Sequence, residues 1–138
     1  MDAVVTPELD LQARTGACLP MQDMTMACGC FVVPTSFREK GSRPAIARAF
    51  MLMDVESQVI LGMDLLVPEP GKLWNIRIAL DAILKKFIAF GFCPSQLRFN
   101  GILLREVGEQ FCDMIGVAYD GRRFGPLLKA VNEIMSRL

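Results

Sequence analysis

The chain has no histidine, and no glycine-rich nucleotide loop or recognisable metal-ligand spacing can be read in it. The usual sequence anchors of a catalytic argument are therefore missing. It also lacks charge of either sign in excess: fifteen basic residues balance fifteen acidic ones. That removes the long-range positive field by which proteins hold nucleic acid or an anionic membrane, so only a local basic patch would serve there. No run approaches the roughly 18 uninterrupted apolar residues of a membrane span. The longest candidate, around Leu73 to Phe92, is broken by Asn75, Arg77, Asp81, Lys85 and Lys86. The opening MDAVVTPELDLQ carries Asp2, Glu8 and Asp10 where an export signal carries a basic and then an apolar stretch. The cysteines Cys18, Cys28, Cys30, Cys93 and Cys112 are odd in number and form no disulfide framework. Together these features lead us to expect a reduced, soluble, cytoplasmic protein with no membrane association.

What the chain does have is apolar material. Of 138 residues, 52% are hydrophobic, which suits one domain with an ample core and leaves some apolar surface for a partner or a second copy. Residues 1–27 show neither the helical nor the strand period, and we read them as a partly ordered N-terminal arm; residues 28–138 form the single domain. Cys28 to Val33 reads as a first strand, and the polar stretch Thr35 to Pro44 as a loop. Ala45 to Met53 and Gln58 to Val67 are apolar runs separated by Asp54, Val55, Glu56 and Ser57, the signal of a hairpin. Both runs are apolar on nearly every residue, so the hairpin is expected at the centre of the sheet, with helices Lys72 to Phe90 and Pro126 to Leu138 packed on it. Arg48 and Asp64, the charged exceptions, mark an edge or a paired charge.

Beyond the breaker Pro68 to Gly71, helical spacing of Leu73, Ile76, Leu80, Ile83, Leu84 and Phe87 predicts an amphipathic helix stopped at Gly91. Gln96 to Phe99 reads as a strand, Leu103 to Ile115 as a helix ending at Gly116, and Val117 to Tyr119 as a last strand. Pro126 then suits the first turn of a third helix through Leu127, Val131, Ile134, Met135 and Leu138. The order is β-β-β-α-β-α-β-α: an α/β domain whose hairpin is antiparallel and whose later strands are parallel, so that the sheet is mixed, with helices packed on it.

That order resembles the ribonuclease-H-like fold. RPAIARAFMLMDVESQVILGMDLL, with Asp54, Glu56, Ser57 and Gly62, is similar to the second and third strands of integrase cores. GFCPSQLRFNGILLREVGEQFCDMIGV resembles the integrase stretch in which a proline-led strand ends in an Asp-Asn-Gly turn before a helix and a further strand. The resemblance implies two metal ions held by carboxylates from the first strand, the end of the fourth strand and a helix. Here Cys28 to Val33 offers no carboxylate, and the fourth strand ends in the neutral Asn100. From Arg43 onward the chain also resembles an uncharacterised bacterial domain family. Its pattern is matched by Arg43 and Pro44, Asp54, Pro68, Gly91 and Pro94, Gly116 and Val117, and Leu127 and Ala130, and it implies no established activity.

The candidate ligand-binding residues are Arg98, Asn100, Arg105, Arg122 and Arg123, which fall near strand ends and in the loop before the last helix, where open α/β sheets bind ligands. No residue is assigned a catalytic or metal-binding role and no cofactor is expected. The Cys28-Gly29-Cys30 pair lacks the further thiolates of a closed zinc site, and Asp81, Glu106, Glu109, Asp113 and Glu133 read as surface charge. The expectation is thus a non-catalytic binding or assembly module, homo-oligomeric or holding an unknown protein partner. A divergent integrase- or transposase-like metal-dependent nuclease and a small-anion sensor using the strand-end arginines are the alternatives, and the neutral charge argues against nucleic acid as a partner.

Overall fold

Among the described residues, three helices form where apolar side chains recur every three or four residues. In α1 (Ile76–Phe90) the buried stripe is Ala79, Leu80, Ile83, Leu84 and Phe87. Asn75 caps its start by accepting the Arg77 N–H on Oδ1 at 2.9 Å. Gly91 ends it at φ 80°, a left-handed conformation that glycine adopts without a Cβ clash, and its N–H reaches the carbonyls of Phe87 and Ile88. The helix α2 (Ile102–Ile115) buries Leu104, Val107, Phe111, Cys112 and Ile115 and stops at Gly116, while α3 (Gly125–Ser136) has Pro126 in its first turn and buries Leu127 and Val131. Gly91 and Gly116 are the expected stops, and the helical faces are the expected ones except at Leu103, expected inside and 51% exposed. The computed structural model describes residues 19–37, 45–66 and 75–137. Residues 1–18 of the arm, the loop residues 38–44, the breaker Pro68 to Gly71, Leu73 and Leu138 lie outside the described residues.

Among the described residues, five strands make one mixed sheet in the order β3-β2-β1-β4-β5. The strand β1 (Met21–Phe37) runs antiparallel to β2 (Ala45–Asp54) and parallel to β4 (Cys93–Asn100); β3 (Ile60–Leu66) pairs antiparallel with β2, and β5 (Ala118–Asp120) parallel with β4. The element order β-β-β-α-β-α-β-α is the one expected from the sequence. Helices cover both faces, which is why β1 and β2 read as near-continuous apolar runs. Met26, Cys28, Phe50, Leu52, Leu97 and Phe99 meet α1 and α2 on one side; Ala27, Met51 and Met53 meet Phe124, Leu127 and Val131 on the other. No helix among the described residues is long and apolar enough to cross a membrane.

Two expectations need correction. The hairpin is not central: β1 holds the middle of the sheet and β3 lies at its edge, with Ile60, Met63 and Leu65 43%, 44% and 53% exposed. Helix α3 packs on β1 and β2, and α1 on β3 and β4. An apolar run records that a strand is meant to be covered, but not by what. The first strand is also longer than Cys28 to Val33, since Met21–Ala27, read as arm, form its first half. The strand period is hidden there because the polar Gln22, Asp23 and Thr25 interrupt it; Thr25 is satisfied by donating to Gln96 Oε1 at 3.1 Å.

Candidate functional site: the strand-end ledge

The parallel pairing of β1 and β4 sets Gly29 directly beside Asn100. The ribonuclease-H-like resemblance calls for carboxylates on the first strand and at the end of the fourth; Gly29 lies on the one and Asn100 ends the other. Neither residue can supply one, and the space between them is filled. A Cβ on Gly29 would stand 2.7 Å from Leu127 Cδ2, so the first buried leucine of α3 sits where a longer side chain on β1 would project. Asn100 is committed at both ends of its amide: Nδ2 donates to the Phe124 carbonyl at 2.8 Å, and the Phe124 N–H donates to Oδ1 at 2.9 Å. A carboxylate cannot make the first of these bonds. The turn-forming pair Asn100 and Gly101 thus ties the end of β4 to the start of α3.

Beside this tie lies a cluster built on Asp120, the last residue of β5 and 8% exposed. Arg98 Nε donates to its Oδ2 at 3.0 Å, Arg122 Nη2 donates to Oδ2 at 2.8 Å, and the Arg122 backbone N–H donates to Oδ1 at 3.0 Å. The hydrogen bonds from the Arg122 side chain outweigh burial and, with the Arg122 backbone N–H and the charges of Arg122 and Arg98, hold the Asp120 carboxyl well below the usual carboxylate range. The Arg98 guanidinium also lies 5.8 Å from the centre of the Phe124 ring. Arg105, in the first turn of α2, donates from Nη2 to the Gly121 carbonyl at 2.9 Å, while its Nε is buried without a hydrogen-bond partner. Of the five candidate residues, Arg98, Asn100, Arg105 and Arg122 therefore converge on the segment Asp120 to Phe124; Arg123 is exposed in the same loop.

On the other face of the sheet, where β4 ends beside the middle of β1, a cleft of about 210 Å³ opens between the starts of α1 and α2. Its walls are apolar, from Val32, Ile76, Ile102 and Leu103, with Arg48 and the Cys30 thiol beside them. Burial pushes the Cys30 thiol up, against the opposing pull of the Arg48 charge. Cys28 is fully buried and its thiol, which donates to the Arg98 carbonyl at 3.6 Å, is raised by burial and by the neighbouring Cys112. Asp81 pairs with Lys85 on α1, and Glu106, Glu109, Asp113 and Glu133 are exposed. Among the described residues no group of three or more His, Cys, Asp or Glu side chains is placed to hold a metal ion. Sequence reasoning overlooked Asp120 and Gly29. The run Asp120-Gly121-Arg122-Arg123 after a strand was the available signal for the first, since an acid two residues before an arginine at a strand end is placed to pair with it. No sequence signal marks the second.

A search of curated proteins returns no match. Among solved structures the chain is similar to an endonuclease V from Bacillus subtilis, at 11% identity and a TM-score of 0.40, over 83% of this chain. The similarity spans 55% of the endonuclease chain. Residues 16–136, almost the whole length, match the family described as a domain of unknown function, DUF6930, and the chain belongs to that family.

Proposed function

We propose that this domain is a non-catalytic binding or assembly module of the reducing cytoplasm, built on a ribonuclease-H-like arrangement of strands. One observation carries the reading: Gly29 packs under Leu127, and the amide of Asn100 is bonded both ways to Phe124. Two-metal phosphoryl transfer needs anionic oxygens from separate strands to meet. At this ledge the converging groups are a leucine, an amide and a carboxylate already neutralised by two arginines. The four cysteines within the described residues are free thiols, which suits a reducing compartment. The nuclease alternative is tested by incubating single- and double-stranded DNA and RNA with the chain in magnesium or manganese, beside an Asp120→Asn variant and an Asp81→Ala, Glu133→Ala double variant. No cleavage above the blank is expected from any of them. Metal-dependent turnover by the wild type that either variant loses would overturn the reading.

A second reading, recognition of a small anion by the ledge arginines, has one observation in its favour: Arg105 Nε is buried without a partner beside the exposed Arg122 and Arg123. Against it, the donors of Arg98 and Arg122 are turned onto Asp120. Titration with inorganic phosphate decides between them. A rise in melting temperature that Arg105→Gln abolishes would favour the anion; no rise leaves the module reading in place.

A further inference from the structure

The edge strand β3 is weakly guarded against pairing with another chain: its one charge is Asp64, and its one irregularity lies near its start, at Leu61. Ile60–Leu66 contains no proline, lysine or arginine, and among the described residues no strand pairs with its outer side. On the α3 side of the sheet, Met63 and Leu65 stand opposite Met51 and Ala49 in the ladder and are 44% and 53% exposed, beyond the cover that α3 gives to β1 and β2. On the α1 side, the only charge of the strand, Asp64, accepts an ion pair from Lys86 at 2.8 Å. The Lys86 stem crosses the strand to get there, passing 3.5 Å from the Cβ position of Gly62.

We propose that β3 is a dimerisation edge, through which two copies of this chain pair antiparallel about a two-fold axis at Met63. The position of the axis follows from charge and face. An axis perpendicular to the sheet keeps the same helix on the same face in both copies, so the paired residues must share a face. Centred on Asp64, it would bring two carboxylates opposite each other. Centred on Gly62, it would set each Asp64 against the Ile60 position, beyond the register shift at Leu61, with no charge to meet it. Centred on Met63, it sets each Asp64 opposite the partner's Gly62, over which the partner's Lys86 already lies, so each carboxylate meets two ammonium groups and each ammonium two carboxylates. On the opposite face the two Met63 side chains meet at the axis, flanked by Leu65 from each copy, and the flexible thioethers adapt to that contact. Zero net charge leaves no long-range repulsion between the copies. The inference stands independently of what the strand-end ledge binds, since β3 takes no part in the ledge, which is built on β1, β4 and β5.

The test is the mass of the full chain by light scattering and sedimentation through a dilution series, with circular dichroism to verify folding. The wild type is expected as a dimer, and Met63→Lys, which sets two ammonium groups face to face at the axis, as a folded monomer or a dimer weakened roughly tenfold or more. Asp64→Lys and Lys86→Asp each place like charges together within and between copies, and each alone is expected to dissociate. An equimolar mixture of the two is decisive: the contacts within each chain stay repulsive, while those between chains become attractive, so the mixture is expected to recover dimer mass. If Met63→Lys fails to fold, the charge pair alone decides. A monomeric wild type, a dimer that a folded Met63→Lys leaves intact, single charge variants that stay dimeric, or a mixture that stays monomeric would each overturn the proposal.

Discussion

Replacing Asn100 by aspartate removes the N–H that Phe124 accepts and sets a carboxylate oxygen 2.8 Å from a carbonyl. Such an exchange leaves an acceptor facing an acceptor, and its expected cost is about 1–3 kcal/mol in urea unfolding, with no stabilisation by added manganese. Metal affinity gained by that variant would contradict the closed state of the ledge. Gly29→Ala is expected to destabilise by a similar ~1–3 kcal/mol, because its methyl meets Leu127. Leu127→Ala in the same chain should make the pair of changes less than additive. For Asp120 the sign follows from a folded carboxyl held below its unfolded value of about 3.9. The stabilisation is present above that value and is lost as pH falls below it. Asp120→Asn should therefore lower the melting temperature at neutral pH, with the difference from wild type shrinking as the acid limb is entered below about pH 4. At this scale Asn100 and the arginines were legible as a strand-end group, but their mutual partners were not, because the partners are backbone atoms and a carboxylate brought close only by the parallel pairing of β4 with β5.

The helices and their stops were legible because period and terminal glycine act locally, over a few residues. The position of a strand within a sheet is not local. The hairpin Ala45 to Val67 and the centre strand β1 carry similar apolar runs, and only the pairing of β1 with both β2 and β4 separates a centre from an edge. One local residue does report a distant element. Gly108 on α2 faces the Phe99 ring, where a Cβ would stand 2.6 Å from Cδ2, so the glycine sets how closely the helix approaches β4. Gly108→Ala is expected to cost about 1–3 kcal/mol in chemical denaturation despite the higher helix propensity of alanine. A neutral or stabilising result would show that helix and strand can separate at no cost.

For the whole molecule, the two-sided core encloses its deepest thiols, Cys28 and Cys112, completely. Burial, aided by Asp113 and Glu109, pushes Cys112 up to about 12, and Cys28 is raised by burial as well. Both are expected to resist alkylation at about pH 8 until denaturant is added, a protection that peptide mapping checks directly. The overall order of elements was legible before the fold was seen, whereas the packing of Leu127 over Gly29 at the ledge required the register of Gly29 against Asn100. The Asn100 tie has a consequence on a slower clock. An asparagine followed by glycine cyclises readily in a flexible chain, as the next backbone nitrogen attacks the side-chain amide and ammonia leaves. In the folded chain both ends of that amide are bonded to Phe124, which holds it away from the attacking nitrogen. Conversion at Asn100 should accumulate in urea and stay near background under native conditions, so the aged fraction of a sample records how long its molecules have spent unfolded.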